Sequence, residues 1–209
     1  MVQVKICGLT SVDDAARCIE LGADAIGLNF WPGSPRVTDL ETARAIVKAL
    51  GDRAQMVGVF VDFELERVQS ILQATGIPWA QLHGDEPPEL VSALLPRAYK
   101  ALGVEDGSVI HKARRYPGVH RLLDASVSGV PGGTGRTFDW AIAAEIATER
   151  KLTLAGGLTP DNVAQAIRTV RPFRVDVASG VESAPGRKDP QLVERFIETA
   201  KAVPDPPPC

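Results

Sequence analysis

Two kinds of apolar spacing alternate along this chain from one end to the other. Short runs in which apolar and polar residues take turns, such as "VQVKIC" (2–7), read as β-strands, because successive side chains point to opposite faces. The same pattern recurs in "DAIGLNF", "QMVGVFV", "WAQLHG", "RAYKAL", "HRLLDA", "KLTLAG" and "RVDVAS". Between these runs the apolar residues recur every three or four positions, as in "SVDDAARCIELG", "TDLETARAIVKALG" and "FELERVQSILQATG". Such stretches predict amphipathic helices, and a final one, "DPQLVERFIETAKA", follows the last strand. Strands alternating with helices pair in parallel through crossovers. Eight such units predict an α/β protein with a single-domain (β/α)8 TIM barrel over residues 1–203, rather than an open doubly wound sheet.

Element boundaries carry their own signals. Thr38 with Glu41 reads as a capping box, and Ser11 with Asp14 as a weaker one. Thr159-Pro160 and Asp189-Pro190 each place a cap residue before a proline at the first helical position. Gly22, Gly51 and Gly76 stand where helices are expected to end in a left-handed residue. At 209 residues the chain is short against the ~250 typical of this barrel, which leaves little room for a second domain. The Pro-rich segment 204–209 is expected to be a disordered tail, with Cys209 an exposed terminal thiol.

Charge and cysteine usage narrow the function classes. The net charge of −3, with no basic block, argues against nucleic acid as a partner. No apolar run approaches the ~20 residues that cross a bilayer, so no membrane partner is expected. The first strand lacks the longer apolar core of a signal peptide, and a cytoplasmic location follows as the expectation. Cys7, Cys18 and Cys209 lie too far apart for a zinc site, a CxxC motif or a disulfide framework, and no metal is expected.

Strand parity then picks out candidate chemistry. In "VQVKIC", Val2, Val4 and Ile6 share the face that packs on helices, while Gln3, Lys5 and Cys7 point into the barrel. The same alternation puts Gln81 with His83 and Leu122 with Asp124, and separates Asp176 from Val175 and Val177. Barrel interiors favour branched apolar residues, and a buried carboxylate is costly unless paired. Ionisable and reactive side chains near C-terminal strand ends therefore point to function. Taken singly, each has a plainer reading: Cys7 as an inert core thiol, His83 as a satisfied core histidine, Arg36 as a loop residue.

Eight stretches together resemble one family: "VKICGLT", "GADAIGLNFWPGSPR", "VGVFVD", "QLHGDE", "LLDA", "GGTGRTFDW", "LAGGLTPDNV" and "VDVASGVE" with "PGRKD". They occur in that family's order over nearly the whole chain, and the family is phosphoribosylanthranilate isomerase, of tryptophan biosynthesis. The resemblance implies an Amadori rearrangement of N-(5-phosphoribosyl)anthranilate to 1-(o-carboxyphenylamino)-1-deoxyribulose 5-phosphate. Such a reaction needs one acid, to open the furanose, and one base, to take the C2 proton. The protonated imine is its own electron sink, so no cofactor is implied.

By the same resemblance Cys7 is the general base and Asp124 the general acid. A thiolate base would gain from the nearby Lys5, and an acid must hold its proton, which calls for a desolvated carboxyl. Arg36 resembles the arginine that receives the anthranilate carboxylate, for which a guanidinium suits two parallel hydrogen bonds. His83 and Asp176 are expected to contact the sugar or the bridging amine. Gly156, Gly157, Ser179 and Gly180 follow strands seven and eight, where barrel phosphate sites form. "GGTGRTFDW" reads as a lid over the substrate, with Gly133 adding a phosphate contact. The partner implied is a small phosphoribosyl substrate, bound by a monomer or a homodimer. "SVSGVP" (126–131) follows no pattern of the family.

Three other readings compete. A lyase of the tryptophan synthase α type or a histidine-pathway isomerase would use paired carboxylates, which Cys7 in "KICG" opposes. An isomerase serving both pathways is chemically possible, with two aspartates expected in place of the cysteine. A catalytically silent phosphosugar sensor would have lost Cys7 or Asp124, and both are present.

Overall fold

The computed structural model describes residues 1–125 and 139–204. The first four strands are β1 (Gln3–Cys7), β2 (Ala25–Asn29), β3 (Gln55–Phe60) and β4 (Trp79–Leu82). The next four are β5 (Ala98–Val104), β6 (His120–Ala125), β7 (Lys151–Leu154) and β8 (Arg174–Val177). They are parallel and close in chain order, β8 pairing with β1. The surrounding helices are α1 (Val12–Glu20), α2 (Leu40–Leu50), α3 (Leu65–Thr75) and α4 (Pro88–Leu94), then α5 (Ser108–Arg115), α6 (Trp140–Glu149), α7 (Val163–Val170) and α8 (Pro190–Lys201). None of the described helices is long and apolar enough to cross a membrane.

Parity sorts the strands into two cores, as expected from the alternation. Val4, Ile6, Val175 and Val177 join the large apolar shell between barrel and helices. Inside the barrel a smaller cluster of Val57, Tyr99, Ala101, Leu122 and Ala155 packs with Trp79. The rest of the interior is polar, with Lys5, Gln81, Thr153, Arg174 and Asp176 all buried. Ionised groups persist there only because they satisfy one another.

Helix ends follow some of the expected signals and depart from others. Ser11 accepts the Asp14 N–H at 3.2 Å, and Asp189 accepts from Gln191 and Leu192 ahead of Pro190. The cap of α2 is Asp39, not Thr38: its carboxylate accepts the Thr42 N–H at 2.7 Å. Thr38 is held by the sheet instead, donating its own N–H to the Asn29 carbonyl at 2.8 Å. Helix α7 starts at Val163 rather than at Thr159, because residues 159–162 form a turn. In that turn Asn162 Oδ1 accepts the Thr159 N–H and its Nδ2 donates to the Gly157 carbonyl, both at 2.8 Å. Gly76 ends its helix left-handed (φ 77°) and Gly22 has φ 104°, but Gly51 stays right-handed (φ −60°).

Two further features position the site. A hairpin of β9 (Glu182–Ala184) and β10 (Arg187–Lys188) follows a 3-10 turn at Ser179–Val181, and nothing in the periodicity announced it. Beneath the loop after β4, the buried Lys100 pairs with Glu86 at 3.0 Å and donates to the Leu82 and Gly84 carbonyls. Glu86 in turn accepts the N–H groups of Asp62 and Gly84. This fixes the chain on both sides of His83.

Candidate active site

Strand register does the first part of the assembly. Pairing of β1 with β8 sets Lys5 beside Asp176, β1 with β2 sets Cys7 beside Gly27, and β4 with β5 sets Gln81 beside Tyr99. The Lys5 ammonium, wholly shut from solvent, lies 2.6 Å from Asp176 Oδ2 and donates to Gln81 Oε1 at 3.1 Å. The Tyr99 hydroxyl donates to the same oxygen at 3.0 Å.

This arrangement decides a tautomer. An ammonium can only donate, so the Gln81 oxygen is the atom that faces Lys5. Its Nε2 is then the donor to His83 Nδ1, 3.0 Å away. The neutral His83 ring therefore carries its proton on Nε2, which lies 3.3 Å from Asp124 Oδ2. One chain of contacts thus runs from Lys5 to Asp124. Replacing Gln81 by leucine should lower kcat about 10-fold, or about 1.4 kcal/mol, with KM nearly unchanged. Ring 15N shifts of His83 should show both tautomers in the variant and one in the parent.

Every site residue expected from the sequence, Gly133 aside, lines a single cleft at the C-terminal ends of the strands. Gly133 and most of "GGTGRTFDW" lie outside the described residues, as do "SVSGVP" and the tail 205–209. Cys7 ends β1 and Asp124 lies near the end of β6. Among the described residues, Asp124 Oδ1 and Asp176 Oδ1 are buried without a hydrogen-bond partner, and both residues line the cleft. Two unsatisfied carboxyl oxygens in one cleft are positions where a ligand's polar groups can make the missing hydrogen bonds.

Charge around the thiol is finely divided. Burial raises the Cys7 pKa, Lys5 pulls it down, and Asp176 pushes it up. The net direction is up, so Lys5 acts in the sense expected but is outweighed. Burial opposes the Lys5 ammonium too and is the largest single influence on it, yet Asp176, Cys7 and Tyr99 together outweigh it and hold the lysine charged. Cys18, buried on α1, is pushed up to about 12, chiefly by burial, and is inert.

Arg36 has a partner that sequence reasoning missed. Its Nε and Nη2 grip Glu182 of the hairpin at 2.9 and 2.7 Å, and Lys188 Nζ meets the same carboxylate at 2.7 Å. Burial works against the Glu182 charge, but these two cations outweigh it and hold its pKa below the ordinary carboxylate value. Trp31 and Asn29, on and beyond β2, also line the cleft. The signal for them was present in "NFWPGS", an aromatic in a turn directly after a strand.

The loops after β7 and β8 supply backbone donors. Gly156 (φ 87°) lies so close to β6 that a Cβ there would collide with the Ala125 nitrogen and stand 2.8 Å from Asp124 Oδ1. Among the described residues, no backbone carbonyl accepts the N–H groups of Gly156, Gly157, Ser179 or Gly180. Free N–H groups on two adjacent loops are the makings of an anion site.

The chain matches a family model described as N-(5'-phosphoribosyl)anthranilate (PRA) isomerase over residues 4–199. The chain belongs to this family. The N-(5'-phosphoribosyl)anthranilate isomerase of Geobacter sulfurreducens is 48% identical over 201 residues, covering 96% of this chain and 99% of that protein. That of Pelobacter propionicus is 44% identical over 201 residues, covering 96% of each. The crystal structure of phosphoribosyl anthranilate isomerase from Thermotoga maritima superposes with a TM-score of 0.88 at 42% identity, covering 96% of this chain and 99% of that one. A further structure, 40% identical with a TM-score of 0.85, is a phosphoribosyl anthranilate isomerase in complex with reduced 1-(o-carboxyphenylamino)-1-deoxyribulose 5-phosphate; it covers 96% of this chain and 99% of that one. Membership makes this chain an isomerase of tryptophan biosynthesis with a TIM-barrel fold.

Proposed function

We propose that the cleft converts N-(5'-phosphoribosyl)anthranilate to its ribulose isomer with Asp124 as general acid and Cys7 as general base. The observation that carries this reading is the pairing of a thiol and a carboxyl on β1 and β6, in a cleft with free N–H groups beside it. The Asp124 carboxyl gives its proton to the ring oxygen while the anilino nitrogen pushes out the C1–O bond, forming a protonated imine. The Cys7 thiolate then takes the C2 proton, and those electrons make the C1=C2 bond of an enolamine. Transfer of the C2 hydroxyl proton to the Asp124 carboxylate, with return of a proton from Cys7 to C1, completes the ketone. Both groups end as they began.

The remaining residues orient the substrate. Glu182 occupies Nε and Nη2 of Arg36, which leaves the Nη1 edge for the anthranilate carboxylate. With His83 Nε2–H facing Asp124 Oδ2, Asp124 Oδ1 carries the proton given to the ring oxygen. Asp176 Oδ1 accepts from a sugar hydroxyl or the bridging N–H, and the loops after β7 and β8 hold the phosphate. Gly133 is assigned to the phosphate by the family resemblance alone.

The test follows the fluorescence of phosphoribosylanthranilate, generated in situ because it is labile. Its enzyme-dependent disappearance, with the deoxyribulose 5-phosphate product appearing in equal amount, is the expected result. Folded protein that binds product yet leaves the fluorescence untouched would overturn the reading.

A further inference from the structure

A cavity of about 490 Å³ lies at the opposite end of the barrel from Cys7 and Asp124. It is bounded by the first residues of the strands and is separated from the cleft by the buried Lys5, Gln81 and Tyr99. Its size is that of a small-molecule site.

Its polar lining consists mainly of donors. Arg174 is only 3% exposed, and among the described residues it makes no ion pair. Its guanidinium is satisfied by two neutral amides, Gln3 Oε1 at 2.6 Å and Gln55 Oε1 at 2.5 Å. With those oxygens committed, each amide turns its NH2 donor away from the guanidinium. Lys151 adds a second cation, its Nζ 5.0 Å from the Phe173 ring. The one carboxylate of the lining, Asp24, is already taken, accepting the Val4 N–H at 2.8 Å and pairing with Lys201 at 3.3 Å. The positive field is felt by His120, whose pKa burial, Arg174 and Lys151 together push down to about 3.

The apolar part of the lining includes Trp79 and Phe173, with Leu95 and Pro96 beside them. A desolvated guanidinium that makes no direct ion pair, with Asp24 and Asp176 acting on it only at longer range and two aromatic rings beside it, is complementary to a planar anion with an apolar body. We propose that this lower cavity is a second small-molecule site, one that takes an aromatic carboxylate, its anionic end on Arg174 and Lys151 and its ring against Trp79 and Phe173. The site is independent of the chemistry assigned to the upper cleft.

The test uses 2-naphthoate as probe and neutral 2-naphthamide as control, read from the Trp79 indole resonance of 15N-labelled protein. That resonance is assigned by its loss in Trp79→Phe. Naphthoate should shift it saturably, and naphthamide should bind at least about 10-fold more weakly. Arg174→Gln should abolish the shift and the exposed Lys151→Ala should weaken binding a few-fold, whereas Arg36→Ala, at the other end, should leave it unchanged. Because Arg174 is buried, Lys151→Ala keeps the test decisive if the glutamine variant fails to fold. No shift at millimolar naphthoate, equal binding of the amide, or unchanged affinity in Lys151→Ala would each overturn the proposal. So would a Trp79 resonance that follows protein concentration rather than naphthoate, for then a second copy of the chain covers this face.

Discussion

Cys7→Ala and Asp124→Asn should each lower kcat by about 10³–10⁴-fold, near the upper end of what losing a general base or acid costs. Neither change touches the groups assigned to hold the substrate's ends, so the affinity for product should stay within about threefold. Alanine removes the only atom at the end of β1 able to take a proton. Asparagine keeps the shape of Asp124, its oxygen still able to accept from His83 Nε2 at the 3.3 Å approach, and puts an amide NH2, which gives up no proton at neutral pH, where the acidic O–H stood. The double variant should be scarcely worse than either single one, because acid and base serve one sequence of proton transfers. Stopped assays on phosphoribosylanthranilate, with melting curves alongside, decide the matter. A loss below tenfold in either folded variant would remove that residue from the chemistry.

Gly27→Ala is expected to have the next largest effect, although Gly27 contributes no functional group. A Cβ at this position would stand 2.5 Å from Cys7 Sγ and 3.0 Å from Lys5 Nζ, well inside contact distance for both. The sulfur has to move, and a displacement of about 1 Å of a reacting group costs roughly 10²-fold in rate. The loops after β7 and β8 and Arg36 lie elsewhere, so kcat should fall while KM holds. The pH profile separates positioning from simple damage. Thiolate activity rises as pH climbs through the thiol pKa, and Lys5 is the chief group pulling that pKa down, with a smaller pull from Lys188. Forcing Sγ and Nζ apart weakens this pull, the pKa rises further, and the ascending limb of kcat/KM moves to higher pH. A merely destabilised barrel would lose active protein without moving that limb. Alkylation of Cys7 by iodoacetamide, followed by mass spectrometry, should slow in the same variant.

The alternation of two periods along the chain was sufficient to predict the eight-stranded barrel and to say which strand faces turn inward, because side-chain direction on a strand is a local property. Ser11 and Asp189 were legible as caps for the same reason: each contact spans two or three residues. Where local signals misled, a longer-range bond prevailed. Thr38 was drawn off by pairing with Asn29, and the start of α7 was delayed by the Asn162 turn that braces Gly157. The motifs placed Cys7, Asp124, Arg36, His83, Asp176 and four loop residues in one cleft, and the fold brings those residues together. The partners of these groups were not legible. Glu182 reaches Arg36 across 146 residues and Lys5 reaches Asp176 across 171, and each distance depends on closure of the barrel. Gln81 was visible as an inward residue, but its role in orienting His83 arises only where β4 lies beside β5 and Lys5 enters from β1. Gly27 carries no chemistry to notice, and its importance is the volume it leaves empty for a sulfur and an ammonium from another strand. Which residues face inward was decided by the chain's local pattern; which of them touch, and what charge each feels, was decided by register and closure, since packing and Coulomb energies depend on distances through space.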